Sequence, residues 1–166
     1  MRNLLLLDDD RRLRESLALE FRERGYAVTE AASVAEIPPI AYDYAVLDMR
    51  LVGELGLAGI IRVRELAPHA RIIVLTGYGS IANTVEAMRL GAADYLRKPV
   101  SMDQLEAALL GKSNAPQEPL RPLRLSEVEH EYIDFLLTEN NGNISKTARD
   151  LGLHRQSLQR KLKKHP

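Results

Sequence analysis

The first two-thirds of the chain alternates short apolar runs with stretches of helical spacing. Leu4 to Leu7 is a continuous apolar run that ends at Asp8-Asp9-Asp10. A strand buried on both faces reads this way, without polar alternation. From Asp10, which reads as a helix N-cap, Leu13, Leu17 and Phe21 recur at helical spacing until Gly25 stops the pattern. Tyr26 to Ala31 predicts a second strand, and Ser33 to Ala41 a weak helix interrupted by Pro38-Pro39. Ala45, Val46 and Leu47 make a third apolar run that drops directly into Asp48, and a loop carrying Gly53 and Gly56 follows. A helix through Ile60, Ile61, Val63 and Leu66 ends before Pro68, and Arg71 to Thr76 holds the β-branched run of a fourth strand. After the flexible Gly77-Tyr78-Gly79, Ser80 caps a helix through Val85, Met88 and Leu90 that ends at Gly91. Ala92 to Arg97 predicts a fifth strand, closed by Lys98-Pro99. Ser101 with Gln104 gives a capping box for a helix through Leu105 and Leu109.

Strands alternating with helices, five of each, imply βαβ units: an α/β domain with a five-stranded parallel, doubly wound sheet over residues 1–111. Residues 112–124 carry Pro116, Pro119 and Pro122 with little periodicity, the pattern of a Pro-rich linker. From 125 to 166 every segment looks helical. Ser126 and Glu129 read as a capping box for a helix through Val128, Tyr132, Ile133, Leu136 and Leu137, which Asn140-Asn141-Gly142 ends. Asn143 caps a short helix to Leu151, Gly152 makes a turn, and a last helix runs from about His154 to Lys164. Ala148 allows close approach, while Leu151, Leu153, Leu158 and Leu162 form the seam. Two short helices meeting at such a turn are a helix-turn-helix in a small all-α domain.

Composition narrows the chemistry. The chain has no Cys, which excludes disulfides, thiolate metal sites and thiol-based sensing within it. Leu4–Leu7 is too short for a signal peptide or membrane helix, so the expected location is cytoplasmic. Net charge is zero over 166 residues, but it is unevenly spread. Residues 143–166 hold seven basic residues (Lys146, Arg149, Arg155, Arg160, Lys161, Lys163, Lys164) against Asp150 alone, which suggests a polyanionic partner.

Once the strands are drawn, the polar residues at their ends converge. Asp8-Asp9 follows the first strand, Asp48 ends the third, Thr76 ends the fourth and Lys98 follows the fifth. In a parallel sheet these share the carboxyl edge, where ligands bind. Clustered carboxylates repel one another and need a cation, and hard oxygen ligands select Mg²⁺. Lys98 adds a point charge and Thr76 a hydroxyl, the parts that phosphoryl transfer requires for positioning and charge neutralisation. Asp48, central between the acid pair and Lys98, is the candidate nucleophile for an acyl phosphate. Each residue alone reads as an ordinary turn, cap or ladder residue; the joint placement argues otherwise. A haloacid-dehalogenase-type phosphatase is the enzymatic rival, since Asp8 and Asp10 have its spacing. Arg11-Arg12 stands where that family has a small residue and Thr, and Asp48 would go unused.

The segments LLLLDDD, VLDMR with Gly56 eight residues past Asp48, VLTGYGS and DYLRKP resemble a response-regulator receiver domain, with its flavodoxin-like fold. The resemblance implies Asp48 as phosphoacceptor, Asp9 as a direct Mg²⁺ ligand, Asp8 as a ligand through water and the Arg50 carbonyl as a further ligand. It implies that Lys98 contacts phosphoryl oxygens, that Lys98-Pro99 is cis, and that Thr76 and Tyr95 are a switch pair. Such a domain is no enzyme in the usual sense, although it assists its own phosphotransfer and autodephosphorylation. Many receivers carry a Pro shortly after the acceptor; this chain has LVGELG there, leaving the loop's conformation open.

In the tail, His154, Arg155, Gln156 and Gln159 lie near the start of the last helix, where side chains reach base edges in the major groove. His154 is equally readable as a cap. Asn143, Ser145, Ser157, Arg160, Lys161 and Lys164 are candidates for phosphate contacts. ARDLGLHRQSLQRKL is similar to the Fis-type DNA-binding domain, whose preceding helix contributes to dimerisation. A dimer would read an inverted repeat in double-stranded DNA. There is no Walker motif for the ATPase that many such regulators carry, which implies direct action on RNA polymerase.

The two parts together look most like the RegA/PrrA/ActR-type redox- and respiration-linked regulators. Their partner is a membrane-bound sensor histidine kinase, whose phosphorylation favours homodimers. The alternative reading is a phosphorelay or docking receiver whose helical tail binds protein.

Overall fold

In the computed structural model, residues 2–51, 54–77, 81–112 and 124–164 are described. The chain divides into two compact units, Met1–Arg121 and Pro122–Pro166. The first contains β1 (Arg2–Leu7), α1 (Arg11–Glu23), β2 (Tyr26–Ala31), β3 (Tyr44–Asp48), the two-residue strands β4 (Arg50–Leu51) and β5 (Glu54–Leu55), and α2 (Leu57–Leu66). It continues through β6 (Arg71–Thr76), α3 (Ile81–Arg89), β7 (Asp94–Arg97) and α4 (Met102–Leu109). Five strands form one parallel sheet in the order β2-β1-β3-β6-β7, the doubly wound order in which the chain reverses direction at β1 and β3.

The uninterrupted apolar runs have a simple cause: both faces of the sheet are covered. Leu5, Leu7, Ala45, Leu47, Ile72 and Val74 pack with Ile60 and Val63 of α2 and Ala87 of α3. Their neighbours Leu4, Leu6, Val46, Ile73 and Leu75 pack on the other face against Leu17, Ala18 and Phe21 of α1 and Leu105 and Leu109 of α4. Successive side chains of a strand point to opposite faces, so each must be apolar. Asp10 caps α1 by accepting from the Arg12 and Leu13 amides, and Ser101 with Gln104 makes the expected capping box on α4.

Two local expectations fail in this unit. The helix over Ser33–Ala41 reduces to a 3₁₀ turn at Val34–Glu36. A proline disfavours helical backbone in the residue before it, and Ile37 before Pro38 is extended (φ −65°, ψ 112°). The segment nevertheless buries Ile37 and Tyr42, whose hydroxyl donates to the Pro38 carbonyl at 2.9 Å. The stretch after Asp48 is likewise no simple loop: β4 and β5 pair antiparallel, Arg50 opposite Leu55 and Leu51 opposite Glu54. Val52 and Gly53 lie outside the described residues, as do Tyr78, Gly79, the proposed cap Ser80 and linker positions 113–123.

That hairpin returns the chain against its own start. The Gly56 amide donates to the Met49 carbonyl at 2.9 Å, and a Cβ on Gly56 would lie 2.1 Å from the Asp48 carbonyl oxygen. Only glycine permits this approach. Gly56→Ala is therefore expected to cost about 3 kcal/mol, the upper end for overpacking because the obstacle is backbone. Denaturant unfolding monitored by circular dichroism tests it, and an unchanged midpoint would remove Gly56 from the account.

The second unit consists of α5 (Leu125–Glu139), α6 (Ile144–Asp150) and α7 (Arg155–Lys164). Ile133, Ala148 and Leu158 are its buried centre, ringed by Leu137, Ile144, Leu151 and Leu162. The expected capping box at Ser126 does not form. α5 starts one residue after Arg124, whose amide donates to Glu127 at 2.8 Å, so Glu127 occupies the position three residues past the cap. Leu153 stands outside the core seam. Gly152 adopts φ +67° and the Leu153 amide donates back to the Ala148 carbonyl at 2.8 Å, closing α6 with a left-handed turn. Beyond that turn α7 packs back against α6, Leu158 joining Ala148 in the core.

Candidate functional site

The sheet register places the polar strand ends together. Leu7 aligns with Leu47, and Asp48 aligns with Leu75 immediately before Thr76. Asp8, Asp9 and Asp48 each offer an oxygen, and these oxygens lie within 4.8 Å of one another. The Lys98 ammonium sits between two of them, donating to Asp8 Oδ2 at 3.0 Å and standing 3.4 Å from Asp48 Oδ1. Lys98 reaches this point because β7 ends at Arg97 and the Lys98 amide donates to the Thr76 carbonyl at 2.7 Å. The Lys98-Pro99 bond is cis, as expected.

Asp8 and Asp48 are buried, 5% and 7% exposed. Burial pushes the Asp48 carboxyl up to about 6; Lys98 pulls against it, Asp8 adds to it, and the Arg50 amide donates a stabilising hydrogen bond. Asp9 is raised too, first by burial and next by the charge of Asp8. Burial lowers Lys98, but Asp48 and Asp8 outweigh it and the ammonium is held above its ordinary value. Three crowded carboxylates against one ammonium leave an excess of negative charge in a poorly solvated pocket. The donor set, all hard oxygen, fits a small divalent cation.

Thr76 is fully buried, and its Oγ1 finds no hydrogen-bond partner among the described residues. An unsatisfied buried hydroxyl at a strand end beside a carboxylate pocket is a group available for another partner. Tyr95, in β7, is partly buried against the core layer containing Val74 and Ala87. Five of the expected residues (Asp8, Asp9, Asp48, Thr76 and Lys98) thus share the carboxyl edge of the sheet, while Arg50 follows Asp48 in β4. Sequence reading missed Arg14, whose Nη1 donates to the Asp8 carbonyl at 2.6 Å. In helical phase it resembles a solvent-facing residue.

On the second unit, Ser145, Arg155, Gln156, Arg160 and Lys164 are exposed, and Ser157 and Gln159 are half-buried. His154 occupies the cap position of α7, its carbonyl accepting from Ser157 and Leu158. The Asn143 side chain caps α6 by accepting from the Lys146 amide at 3.0 Å. Lys161 is ion-paired with Glu129 of α5. A buried polar link, invisible in the sequence pattern, fixes the angle between α5 and α6: Asn140 Nδ2 donates to Thr147 Oγ1 at 3.2 Å and Asp150 Oδ2 at 2.8 Å. Among the described residues no helix is long and apolar enough to cross a membrane.

A parallel α/β unit with an acidic pocket at its carboxyl edge, followed by a helix-turn-helix, defines a class of two-part proteins. Comparison with known families gives the same division: the response regulator receiver domain matches residues 4–110, and the bacterial regulatory protein, Fis family, matches residues 124–165. The chain belongs to the DNA-binding response regulators. The photosynthetic apparatus regulatory protein RegA of Cereibacter sphaeroides is 42% identical over 98% of this chain and 91% of its own length. The acid tolerance regulatory protein ActR of Rhizobium meliloti is 41% identical over 98% and 87%. A crystal structure of a Burkholderia pseudomallei response regulator, with a phosphorylated aspartic acid, calcium ion and citrate, aligns with a TM-score of 0.64. It is 38% identical and covers 96% of this chain and 98% of that one.

Proposed function

We propose that Asp48 accepts a phosphoryl group from the phosphohistidine of a membrane-bound sensor histidine kinase, and that the acyl phosphate changes how the tail binds DNA. The observation that carries this reading is Lys98 standing 3.0 Å from Asp8 and 3.4 Å from Asp48 inside a cluster of three carboxylates. An Asp48 carboxylate oxygen forms the new O–P bond as the N–P bond to the donor breaks, and the electron pair leaves with the imidazole. Lys98 exchanges its contact with Asp48 for a phosphoryl oxygen. Thr76, with a hydroxyl free to donate, turns toward the new group, and Tyr95 follows into the space it leaves. Asp9, Asp48 and the Arg50 carbonyl would hold Mg²⁺ directly and Asp8 through water, and the ion would supply charge neutralisation for the phosphoryl oxygens when bound. The same arrangement supports slow autodephosphorylation by water. The calcium ion and phosphorylated aspartic acid of the Burkholderia pseudomallei regulator support this assignment.

The domain limits in this reading are a receiver over 1–111, a linker over 112–124 and a DNA-binding domain over 125–166. Phosphorylation adds roughly −1.5 to −2 charge at one strand end and biases the Thr76–Tyr95 region. A homodimer of the cytoplasmic protein then sets two copies of α7 on an inverted repeat and acts on RNA polymerase. Identity of 42% to RegA supports redox- and respiration-linked target genes.

The test is selection from random DNA by the full chain, with acetyl phosphate and Mg²⁺ or with a chelator. Phosphorylating conditions are expected to enrich an inverted repeat, which chelation removes. The same DNA recovered equally under both conditions would separate the tail's binding from the pocket; recovery of none would return the tail to protein docking.

A further inference from the structure

The Asp8-Asp9 pair brings two adjacent carboxylates to one pocket, and the structure shows what holds the peptide between them. Every polar atom of Asp8 is engaged. Its amide donates to the Ala31 carbonyl at 3.2 Å, its Oδ1 accepts from the Asp10 amide at 2.9 Å, and its Oδ2 accepts from Lys98 at 3.0 Å. The remaining atom, the carbonyl oxygen, accepts from Arg14 Nη1 at 2.6 Å. That carbonyl belongs to the planar peptide joining Asp8 to Asp9, so fixing it fixes the direction in which Asp9 leaves the strand.

Arg14 is itself held. Its amide donates to the Asp10 carbonyl at 2.9 Å in the first turn of α1, and its side chain is only 14% exposed. Its Nε lies 3.6 Å from Glu30 of β2, too long for a hydrogen bond, and finds no partner among the described residues. Glu30 is anchored in turn by Arg22 at 2.9 Å. An unsatisfied Nε–H in a largely covered guanidinium has a cost, and the Nη1 bond to the Asp8 carbonyl stands against it.

We propose that Arg14 is the positioning residue of the cation pocket: it locks the Asp8–Asp9 peptide so that Asp9 faces the metal while Asp8 faces Lys98. The role rests on the pocket holding Mg²⁺. Groups that orient a metal ligand without touching the metal commonly contribute about ten- to hundredfold in affinity.

The test is calorimetric titration of the full chain with Mg²⁺, comparing wild type, Arg14→Met and Arg14→Lys, followed by labelling from acetyl phosphate across Mg²⁺ concentrations. Arg14→Met keeps the apolar stem and is expected to weaken Mg²⁺ about tenfold or more. Its labelling should need correspondingly more Mg²⁺ but reach the wild-type extent at saturation. Arg14→Lys, which retains one donor for the Asp8 carbonyl, should recover most of the loss. A residue serving stability alone would lower the unfolding temperature of Arg14→Met and leave the Mg²⁺ affinity of its folded form untouched, and that result overturns the proposal. Should Arg14→Met fail to fold, Glu30→Gln decides: releasing the guanidinium must weaken Mg²⁺, and unchanged affinity overturns it. Failure of wild type to bind Mg²⁺ would instead count against the pocket itself.

Discussion

Asp48→Asn is expected to abolish phosphoryl uptake and, in the same molecule, to stabilise the metal-free protein at neutral pH. The first effect follows from losing the nucleophilic carboxylate. The second follows from burial. Asp48 titrates at about 6 in the folded protein against an ordinary 3.8, so between those values the folded state holds a proton that the unfolded state has released. Stability therefore falls as pH rises through about 4 to 6, and above 6 the folded protein bears the full cost of a desolvated carboxylate. Two pKa units correspond to about 3 kcal/mol. Asparagine removes that cost, in which the attraction of Lys98 is already counted, for a gain of up to about 3 kcal/mol. The raised Lys98 contributes at all pH values below its ordinary range, so it does not distort the acid window. Thermal unfolding in chelator, wild type against variant, should show little difference near pH 4 and the full difference above pH 6. Saturating Mg²⁺ should then stabilise wild type more than the variant, since the metal relieves the same repulsion. A difference independent of pH would mean that Asp48 is not the strained group.

The pocket was legible because a parallel sheet converts a one-dimensional pattern into a convergent one. An apolar run ending in a carboxylate has its polar residue at a known edge, and four such ends define a site without knowledge of any loop. Asp8, Asp9, Asp48, Thr76 and Lys98 were read in this way. Arg14 was not, because its partner is a backbone carbonyl, and no residue type announces that. Asn140 was read as a helix terminator, yet it is 8% exposed and bonded to Thr147 and Asp150; its neighbour Asn141 takes the left-handed turn (φ +53°). The helix expected after β2 is absent because its apolar residues reach the core from an extended backbone that Pro38 imposes. Gly56 was noted by spacing alone, while its reason, the 2.1 Å approach to the Asp48 carbonyl, exists only in three dimensions.

In the tail, Arg155→Ala is expected to destroy sequence preference while Lys164→Ala weakens binding to all DNA alike. Both side chains are exposed on α7, but they occupy opposite ends of it. Arg155 is the first residue of α7, the end proposed to enter the major groove, where a bidentate pair with guanine would be worth about 1–3 kcal/mol of discrimination. Its loss should lower affinity for the selected inverted repeat by roughly ten- to a hundredfold and affinity for random DNA by little. If Lys164, in the last turn, meets only the phosphate backbone, as proposed, Lys164→Ala should reduce the salt slope by about 1 on either DNA. Lys161 separates the two mechanisms further. It carries the same charge one turn earlier but is already neutralised by Glu129, so Lys161→Ala should change the salt slope less than Lys164→Ala. Glu129→Gln frees that ammonium and should raise affinity for random DNA. Binding isotherms on selected and random duplexes at several salt concentrations distinguish these outcomes. Equal losses on both duplexes for Arg155→Ala and Lys164→Ala would show that α7 contacts backbone along its whole length, and base readout would then have to come from outside this helix.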